Sequence, residues 1–489
     1  MPHPIRREIW RKSFRVHRDV KRKRDPVLTQ SGPAGRLKEI LSRQRFQLTR
    51  NPLGVYRFHI DALPFVPLFG VLTCKEEGVR SRILSARVAL VALAVLVALL
   101  PGLASAQAII KVNDNVNFRL GILLQGWADW SGQSDAAGNT AGFQQNLFLR
   151  RARFMLGGQV GKDVTFFFET DNANLGKSTQ TLTSGTTGVK APGTGFVVQD
   201  AYLEWAVANE FRIQGGLILI PLCRNCNSSA ATLLTMDYGT WSFQESTSTQ
   251  SSVGRDTGFQ AKGYLADDHL EYRAGVYSGF RAPGVKNSFR FTGRAMYNVF
   301  DVEKVQFYPG TYFGTKKILA IGASYDTQSD YAAYAGDVFF DYPIGGGNGV
   351  TAQVDYIHYD GGLTFGLDAP AATKAAALYK QDDIYAEAGV YIKALKLLPF
   401  LRYESLKYAD DVNKPLNRNK YQGGFGWYPW GANFNIKAGY TRLEAPDNSL
   451  VASTNQYTVQ IQVFYYCPAR LRGAGVPPVP REPGRHFAI

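Results

Sequence analysis

The 489-residue sequence predicts an all-β fold, a transmembrane antiparallel β-barrel of about sixteen strands. Three observations predict it. Apolar and polar residues alternate along many segments, long and short connections alternate between those segments, and a hydrophobic targeting segment precedes them. A period of two places one face of each strand in an apolar medium and the other against water or polar groups.

A hydrophobic targeting segment lies within the first quarter of the chain. Residues 88–100 are entirely apolar, arginines between positions 80 and 87 precede them, and Ala-Ser-Ala at 104–106 follows. These are the charged region, apolar region and cleavage site of a secretory signal, and the apolar run is too short for a membrane span. We therefore expect residues 79–106 to be a signal peptide and Gln107 to begin the exported chain.

The positive charge of the chain lies in its two flanks. Residues 1–106 carry a net charge of +13 and residues 467–489 carry +3, so that of the whole-chain +15 the body at 107–466 keeps −1. A basic chain suggests a nucleic-acid partner. That inference fails for this body, which we expect to form the barrel domain.

Neither flank shows the alternating pattern. Residues 1–78 form a basic upstream extension, and a signal peptide placed after so long an extension makes little sense for export. We expect this extension not to be native, with a nucleic-acid-binding arm as the alternative. Pro468 stops the last strand pattern, and residues 467–489 are expected to be a disordered or artefactual tail.

The strands follow from the period-two rule. In the first, Val116, Phe118 and Leu120 alternate with Asn117 and Arg119. The predicted strands span approximately 116–130, 146–160, 163–172, 196–207, 211–220, 255–265, 269–279, 288–299, 318–326, 333–342, 350–360, 383–393, 396–408, 419–428, 432–443 and 456–466.

The connections between these strands alternate in length. Those at 161–162, 208–210, 266–268, 394–395 and 429–431 are tight, whereas those at 131–145, 173–195, 221–254, 361–382, 409–418 and 444–455 are long. Short periplasmic turns and long external loops are typical of outer-membrane barrels. A soluble β-sandwich, the alternative, shows no such two-sided regularity. Segment 300–317 is long where a short link is expected, and the pattern gives no physical reason for it.

Five short motifs lie in order along the body. They are Arg-Arg-Ala-Arg at 150–153, Gly216 with Pro221, Arg-Asp-Thr-Gly at 255–258, the run at 272–279 and the closing strand at 456–466. Together, over roughly residues 110–466, they resemble the phosphate-selective porin family O and P. The resemblance implies a sixteen-stranded trimeric porin whose third external loop folds inward to narrow the pore.

The same resemblance implies the setting and the partners. It implies a water-filled channel in the outer membrane of a Gram-negative-type bacterium, through which small hydrophilic solutes diffuse passively, with anions such as phosphate among the candidates. The implied partners are two further copies in a homotrimer, outer-membrane lipid and lipopolysaccharide, the barrel assembly machinery and the solutes. We expect no nucleic acid, no cofactor and no metal.

The third external link, 221–254, is the longest and is the segment expected to fold inward. It begins with Cys223 and Cys226, without the βαβ context or second cysteine pair that redox or zinc chemistry needs. In an oxidising compartment we expect a Cys223–Cys226 disulfide that helps the loop turn sharply, with catalytic thiol exchange as the alternative. This pair is not part of the family pattern.

The polar face of each strand supplies the candidate pore-lining residues. The basic candidates are Arg119, Arg151, Arg153, Arg212, Lys262, Arg273, Arg290 and Arg294, with Arg224 on the inward loop. The acidic candidates are Glu169, Asp200, Glu204 and Glu271, beside Asp129, Asp171 and Asp256. Two interpretations stay open: a ladder of ion pairs between neighbouring strands, or a transverse field in which a basic wall draws anions.

The predicted inward loop argues against a phosphate filter. It contains Arg224 as its only base, against Asp237 and Glu245. Converging Arg or Lys donors are what phosphate binding requires. A general porin for small solutes is therefore at least as well supported as a phosphate channel.

Two other classes of outer-membrane barrel are alternatives. A hydrolase needs a nucleophile with a base in reach, and the body offers only His269 beside a short turn and His358 at the external rim, without a G-x-S-x-G motif or metal-ligand spacing. An adhesin or plugged receptor needs a plug-sized segment before the first strand, where only 107–115 is available. We expect a protein that is not an enzyme.

Overall fold

The computed structural model describes residues 48–50, 56–58, 109–134, 140–179, 189–190, 195–283, 288–364, 378–446 and 453–466. The expected signal peptide, the tail and nearly all of the upstream extension lie outside the described residues. The chain divides into two compact units, Met1–Ser105 and Ala106–Ile489. In the first unit, β1 (Leu48–Arg50) pairs antiparallel with β2 (Tyr56–Phe58).

The second unit is a closed antiparallel β-barrel. Its strands in chain order are β3 (Ile109–Asn113), β4 (Val116–Ser134), β5 (Thr140–Val160), β6 (Val164–Asp171), β7 (Ser178–Thr179), β8 (Val189–Lys190), β9 (Val197–Ala206), β10 (Arg212–Leu219), β11 (Arg255–Leu265), β12 (Leu270–Tyr277), β13 (Arg290–Asn298), β14 (Ile318–Gln328), β15 (Tyr331–Gly345), β16 (Asn348–Gly361), β17 (Gln381–Tyr391), β18 (Leu397–Tyr408), β19 (Arg418–Trp427), β20 (Phe434–Glu444) and β21 (Thr454–Tyr466).

Three of these strands are not counted in the ring: β3 pairs with the start of β4, and β7 and β8 form a separate two-stranded sheet. The other sixteen described strands follow one another around the barrel. The ring closes where β21 pairs with β4, from Gln456 opposite Ser131 to Tyr466 opposite Gly121. The prediction of an all-β, sixteen-stranded antiparallel barrel is confirmed.

The first hairpin shows the largest difference from the predicted strand ends. β4 continues to Ser134 and β5 begins at Thr140, beyond the predicted 116–130 and 146–160. Polar residues interrupt the apolar alternation here, yet Trp130 still pairs with Gln145. Pairing continues because ladder hydrogen bonds are made by the backbone and do not depend on side-chain polarity.

β13 shows how side chains divide between the two faces of the barrel. Arg290 and Arg294 are buried on the inner side, whereas Phe291 and Tyr297 are 54% and 48% exposed on the outer side. An outer face in hydrocarbon favours apolar side chains, and an inner face around a lumen favours polar ones. The alternation of apolar and polar residues in the sequence therefore follows from the two environments of the wall, lipid outside and lumen inside.

Helical structure is short wherever the chain is described. α1 spans Glu245–Thr249, and single 3₁₀ turns occupy Lys414–Leu416 and Gly431–Asn433. None of the described helices combines the length and the apolar character needed to cross a membrane.

The third external link enters the barrel, and we call residues 220–254 the inward loop. Leu222 and Leu234 are buried, and the loop reaches strands far from its own ends. On β20, the Lys437 Nζ atom donates to the carbonyl oxygens of Leu233 at 2.5 Å and Thr235 at 2.7 Å. A segment that joins β10 to β11 and touches β20 must cross the lumen.

The unexplained long link also folds inward, and we call residues 299–317 the inward turn. It starts from the barrel end that carries the short connections, and it meets the inward loop. The Tyr308 N–H donates to the Asn227 carbonyl at 2.9 Å, and the Ser229 N–H donates to the Tyr308 carbonyl at 2.9 Å. Tyr308 also packs in an apolar cluster with Phe339 on β15. The inward turn therefore fills part of the lumen beside the inward loop.

Candidate functional site

The inward loop and the inward turn are joined by one buried ion pair. The Nη1 and Nη2 atoms of Arg224 each donate to a carboxylate oxygen of Glu303 at 2.8 Å, and both side chains are fully buried. Tyr312 donates its hydroxyl to the same carboxylate at 2.7 Å. The guanidinium carbon also lies 3.6 Å from the ring centroid of Phe339. Burial opposes the charge of Arg224, but the Glu303 carboxylate outweighs it and raises the pKa of the guanidinium.

Acidic side chains of the wall accept backbone N–H groups of the inward segments. Asp355 on β16 accepts from the N–H of Arg224 at 2.9 Å and of Asn225 at 3.2 Å. Asp341 on β15 accepts from the N–H of Tyr312 at 2.9 Å. A buried N–H without an acceptor costs free energy comparable to a lost hydrogen bond. These carboxylates thus provide the hydrogen-bond acceptors that the carbonyl groups of a neighbouring strand provide within a sheet.

Basic side chains of the wall donate hydrogen bonds to the backbone carbonyl groups of the inward segments. Lys262 on β11 donates to the Val305 carbonyl at 3.1 Å, and Arg402 on β18 donates to the Asp237 carbonyl at 2.6 Å. Together with the Lys437 bonds, these contacts hold both inward segments by their backbones. Charged donors make hydrogen bonds roughly twice as strong as neutral ones.

Asp237 ties the inward loop to β5. Its carboxylate accepts from Arg150 Nε at 2.7 Å and from Arg151 Nη2 at 2.5 Å. Burial alone would raise the pKa of Asp237, but the two guanidinium groups outweigh burial and hold that pKa well below its ordinary value. The loop carboxylate is therefore an ionised anchor for the basic motif at 150–153.

α1 holds a second acidic side chain of the inward loop. Burial raises the pKa of Glu245 to about 7, although Arg290 opposes this shift. The Tyr359 hydroxyl donates to its carboxylate at 3.1 Å. The pKa values of Asp237 and Glu245, the two acidic residues of the inward loop, are thus shifted in opposite directions.

The cysteine pair stands at the root of the inward loop. The Sγ atoms of Cys223 and Cys226 are joined as a disulfide, and both residues are buried against Tyr331 and Tyr359. The Asn227 N–H donates to the Cys223 carbonyl at 3.1 Å. The bridge closes a tight turn just before the chain crosses the lumen.

All the candidate pore-lining side chains are buried on the inner face, and most are engaged in ion pairs. Arg153 pairs with Glu169 and Asp171, Arg212 with Glu204, Arg255 with Asp200, Arg273 with Glu271, Arg290 with Asp326, and Arg294 with Asp337. The geometry is that of the ladder interpretation. Paired charges a few ångströms apart cancel at a distance, which weakens any field across the lumen.

Three candidates do not stand as open charges of a pore wall. Arg224 is enclosed in its pair with Glu303. Arg290 and Arg294 each make a two-point contact with a carboxylate on β14 or β15, for example Arg294 to Asp337 at 2.6 and 2.8 Å. The positive charges of Arg290 and Arg294 thus face carboxylates and not open space, which is the arrangement of the ladder interpretation.

Sequence reasoning missed an acidic sector of the wall. The inner-face acids of β14–β17 are Asp326, Asp337, Asp341, Asp355, Asp383 and Glu387, and these four strands contain no Lys or Arg. Each lies at an inward position of a predicted strand, so the same parity rule would have found them. Lys437 and Arg402 were missed in the same way.

An open chamber remains beside the inward segments. Its cavity volume is about 100 Å³, and it lies against β4, β5, β6, β9 and β21. Of the candidates, Arg119, Arg153, Glu169 and Glu204 border it, together with Arg255 of the motif at 255–258. The other candidates are buried but do not border it.

The two histidines do not form a catalytic arrangement. The Nδ1 atom of His358 lies 2.7 Å from the Asp382 carboxylate near the barrel rim, and that of His269 lies 2.5 Å from the Asn298 carbonyl. In the part of the chain that the structure describes, no group of three His, Cys, Asp or Glu side chains could hold a metal ion.

Residues 118–343 match the sequence profile of the family described as phosphate-selective porin O and P. This part of the barrel, from β4 to β15, is similar to that family, and the resemblance drawn from the motifs is confirmed. The chain is an outer-membrane porin, a channel and not an enzyme. The hydrolase and adhesin alternatives are set aside. No curated protein matches the chain.

Solved porin structures resemble this porin across the barrel. The anion-selective porin from Comamonas acidovorans has a TM-score of 0.49 and 10% identity, over 72% of this chain and 100% of that one. Salmonella typhi OmpF has a TM-score of 0.47 and 14% identity, over 73% and 100%. The outer membrane channel DcaP of Acinetobacter baumannii has a TM-score of 0.45 and 14% identity, over 73% and 99%.

The Arg224–Glu303 pair gives a direct test of how the porin lumen is held. Replacing Glu303 with Gln leaves a buried guanidinium without its counter-charge, which costs about 3–5 kcal/mol. We expect the folded barrel to unfold at clearly lower temperature in detergent, as measured by its heat-dependent mobility on a denaturing gel.

Two control variants separate this effect from general damage. Asp411→Asn breaks the exposed pair with Lys414 and should not change the unfolding temperature. The double variant Arg224→Met with Glu303→Met should recover much of the lost stability, because apolar groups replace a buried pair without leaving a charge. A Glu303→Gln porin as stable as the unaltered chain would contradict this assignment.

Proposed function

We propose that this porin passes small hydrophilic solutes by passive diffusion through the chamber beside β4, β5, β6, β9 and β21. One observation carries the proposal: a cavity of about 100 Å³ remains between the inward segments and β4, β5, β6, β9 and β21, although the inward loop also packs on Leu123 and Met155 of that wall. Solutes of small size would pass the gap between these segments and the wall. The inward loop therefore sets the width of the pathway.

We propose weak charge selectivity instead of a phosphate filter. Arg153 carries two carboxylate partners, Glu169 at 2.8 Å and Asp171 at 2.9 Å, and Arg255 faces Asp200. A phosphate site needs guanidinium or ammonium donors that converge on one anion. The guanidinium groups of Arg153 and Arg255 would have to break their contacts with carboxylates before they could bind phosphate. Exchanging one anion for another in this way gains little binding free energy.

The pairing predicts a specific electrical behaviour. In a planar bilayer with a KCl gradient, the reversal potential should indicate only a small preference between chloride and potassium, because paired charges create little net potential. Added phosphate should leave the chloride current unchanged. Saturable block of that current by phosphate would instead show a converging anion site and would contradict the proposal.

Removal of the inward loop tests its role as the constriction. Replacing residues 228–252 with a short glycine-serine linker should raise single-channel conductance severalfold, since the wall strands pair without the loop. Shortening the external link at 409–417 is the matched control and should leave conductance unchanged. Equal conductance in both variants would place the constriction elsewhere.

We further propose that the mature porin starts at Gln107 and assembles as a homotrimer in the outer membrane, surrounded by lipid and lipopolysaccharide after delivery to the barrel assembly machinery. The support is the signal-like segment at 79–106 and the family resemblance. Native mass spectrometry of the complex extracted from outer membranes should give three chains that begin at Gln107. A monomer, or peptides from residues 1–78, would contradict the respective part.

A further inference from the structure

Aromatic rings from four separate segments meet in the chamber. Phe167 on β6 lies at the centre, with its ring centroid 5.9 Å from Tyr202 on β9, 5.8 Å from Phe307 on the inward turn and 5.9 Å from Tyr466 at the end of β21. All four side chains are half-buried and border the chamber. Part of each ring therefore faces the open space.

The barrel is built to place one of these rings. Tyr466 lies over Gly121 and Gly157: a Cβ atom at Gly121 would stand 2.5 Å from its Cδ2 atom, and one at Gly157 would stand 2.1 Å from its hydroxyl oxygen. Any larger residue at these positions would push the ring aside. The glycines at 121 and 157 thus leave the space in which the Tyr466 ring lies along the inner wall.

Apolar rings facing a water-filled space lose free energy in proportion to the area they expose. On the outer surface of the barrel, lipid would cover such rings, but these four point inward. A solute with an apolar face would cover them and remove this cost. Binding sites of this kind combine an apolar lining with a few placed polar groups.

The polar groups of the chamber are of both signs and nearly balanced. The guanidinium groups of Arg119, Arg153 and Arg255 border it, together with the carboxylates of Glu169 and Glu204. Glu204 is in turn paired with Arg212 at 3.0 Å. Such a lining offers donors and acceptors side by side, without the net charge that would favour an ion.

We infer that the chamber binds neutral sugars of one or two pyranose rings, as the solute class within the proposed diffusion function on which this inference rests. A pyranose ring has a flat face of C–H groups that packs on aromatic rings, whose faces are electron-rich. Its edge carries hydroxyls that both donate and accept, and these match paired carboxylates and guanidinium groups. Phe307 belongs to the inward turn, so the turn sets solute preference as well as lumen shape.

Current block in a planar bilayer tests this inference. Maltose added to the unaltered porin should reduce the KCl current in a saturable way, whereas sorbitol, which has the hydroxyls but no ring, should not. Phe307→Leu keeps an apolar side chain but removes the ring, and it should weaken maltose block about two- to tenfold. The matched control Phe259→Leu, 65% exposed on the outer face, should leave maltose block unchanged.

The possible results separate the two levels of the proposal. KCl conductance without maltose block, or equal block by maltose and sorbitol, would overturn the sugar site and leave the diffusion channel intact. Block by benzoate in place of maltose would also overturn it, since that solute shares the flat face but carries a charge. Absence of any KCl conductance would overturn the diffusion function itself. The maltose and sorbitol comparison needs no variant, so poor folding of Phe307→Leu does not prevent the test.

Discussion

The interior of this porin depends on how irregular backbone is satisfied inside a closed sheet. The strands of the wall use their own N–H and C=O groups in the ladder, so none remain for the inward loop and the inward turn. Charged side chains of the wall supply the missing partners: Asp355 and Asp341 accept N–H groups, and Lys437, Lys262 and Arg402 donate to carbonyl groups. Buried backbone groups left unpaired would prevent either segment from staying in the lumen.

The same constraint accounts for the large number of ion pairs in the lumen. A buried charge without a partner costs far more than a paired one gains. Each charged side chain that anchors an inward segment therefore needs neighbours of opposite sign, as Arg224 and Glu303 have in each other. Because this pair joins the two inward segments, and Phe339 of β15 covers its guanidinium, the loop, the turn and the wall become one packed body. The disulfide at Cys223 fixes the point at which the loop leaves the wall.

The barrel was predictable from the sequence because each strand lies between two media. Phe291 faces the lipid side of the wall and its neighbour Arg290 faces the lumen. This alternation of apolar and polar residues repeats along each strand and does not depend on the sequence of the neighbouring strands. The inward loop was predictable from its length and position. The inward turn was not, because nothing in residues 299–317 distinguishes a segment that enters the lumen from one that lies outside it. The partner of Glu303 is distant in sequence, and only the assembled barrel brings Arg224 to it. The acidic sector of β14–β17 was accessible to the parity rule, because each of its carboxylates stands at an inward position of a predicted strand.

Structural use of charge also limits how this porin can select solutes. An arginine that holds a carboxylate or a backbone carbonyl cannot at the same time be an open anion site, and an exchange of its partner would release part of the lumen filling. Most inner charges are committed in this way on β10–β18. Selection then depends on the chamber side, where Phe167 and Tyr466 face open space beside Arg153 and Glu204. Paired charges act as dipoles whose potential falls off faster than that of a single charge, so solutes meet a lining that is polar but close to neutral. The alternating strands thus fix the barrel, while the proposed preference among solutes rests on a small set of side chains that also help to pack the interior, since Phe167 and Tyr466 contact the cluster around Tyr238.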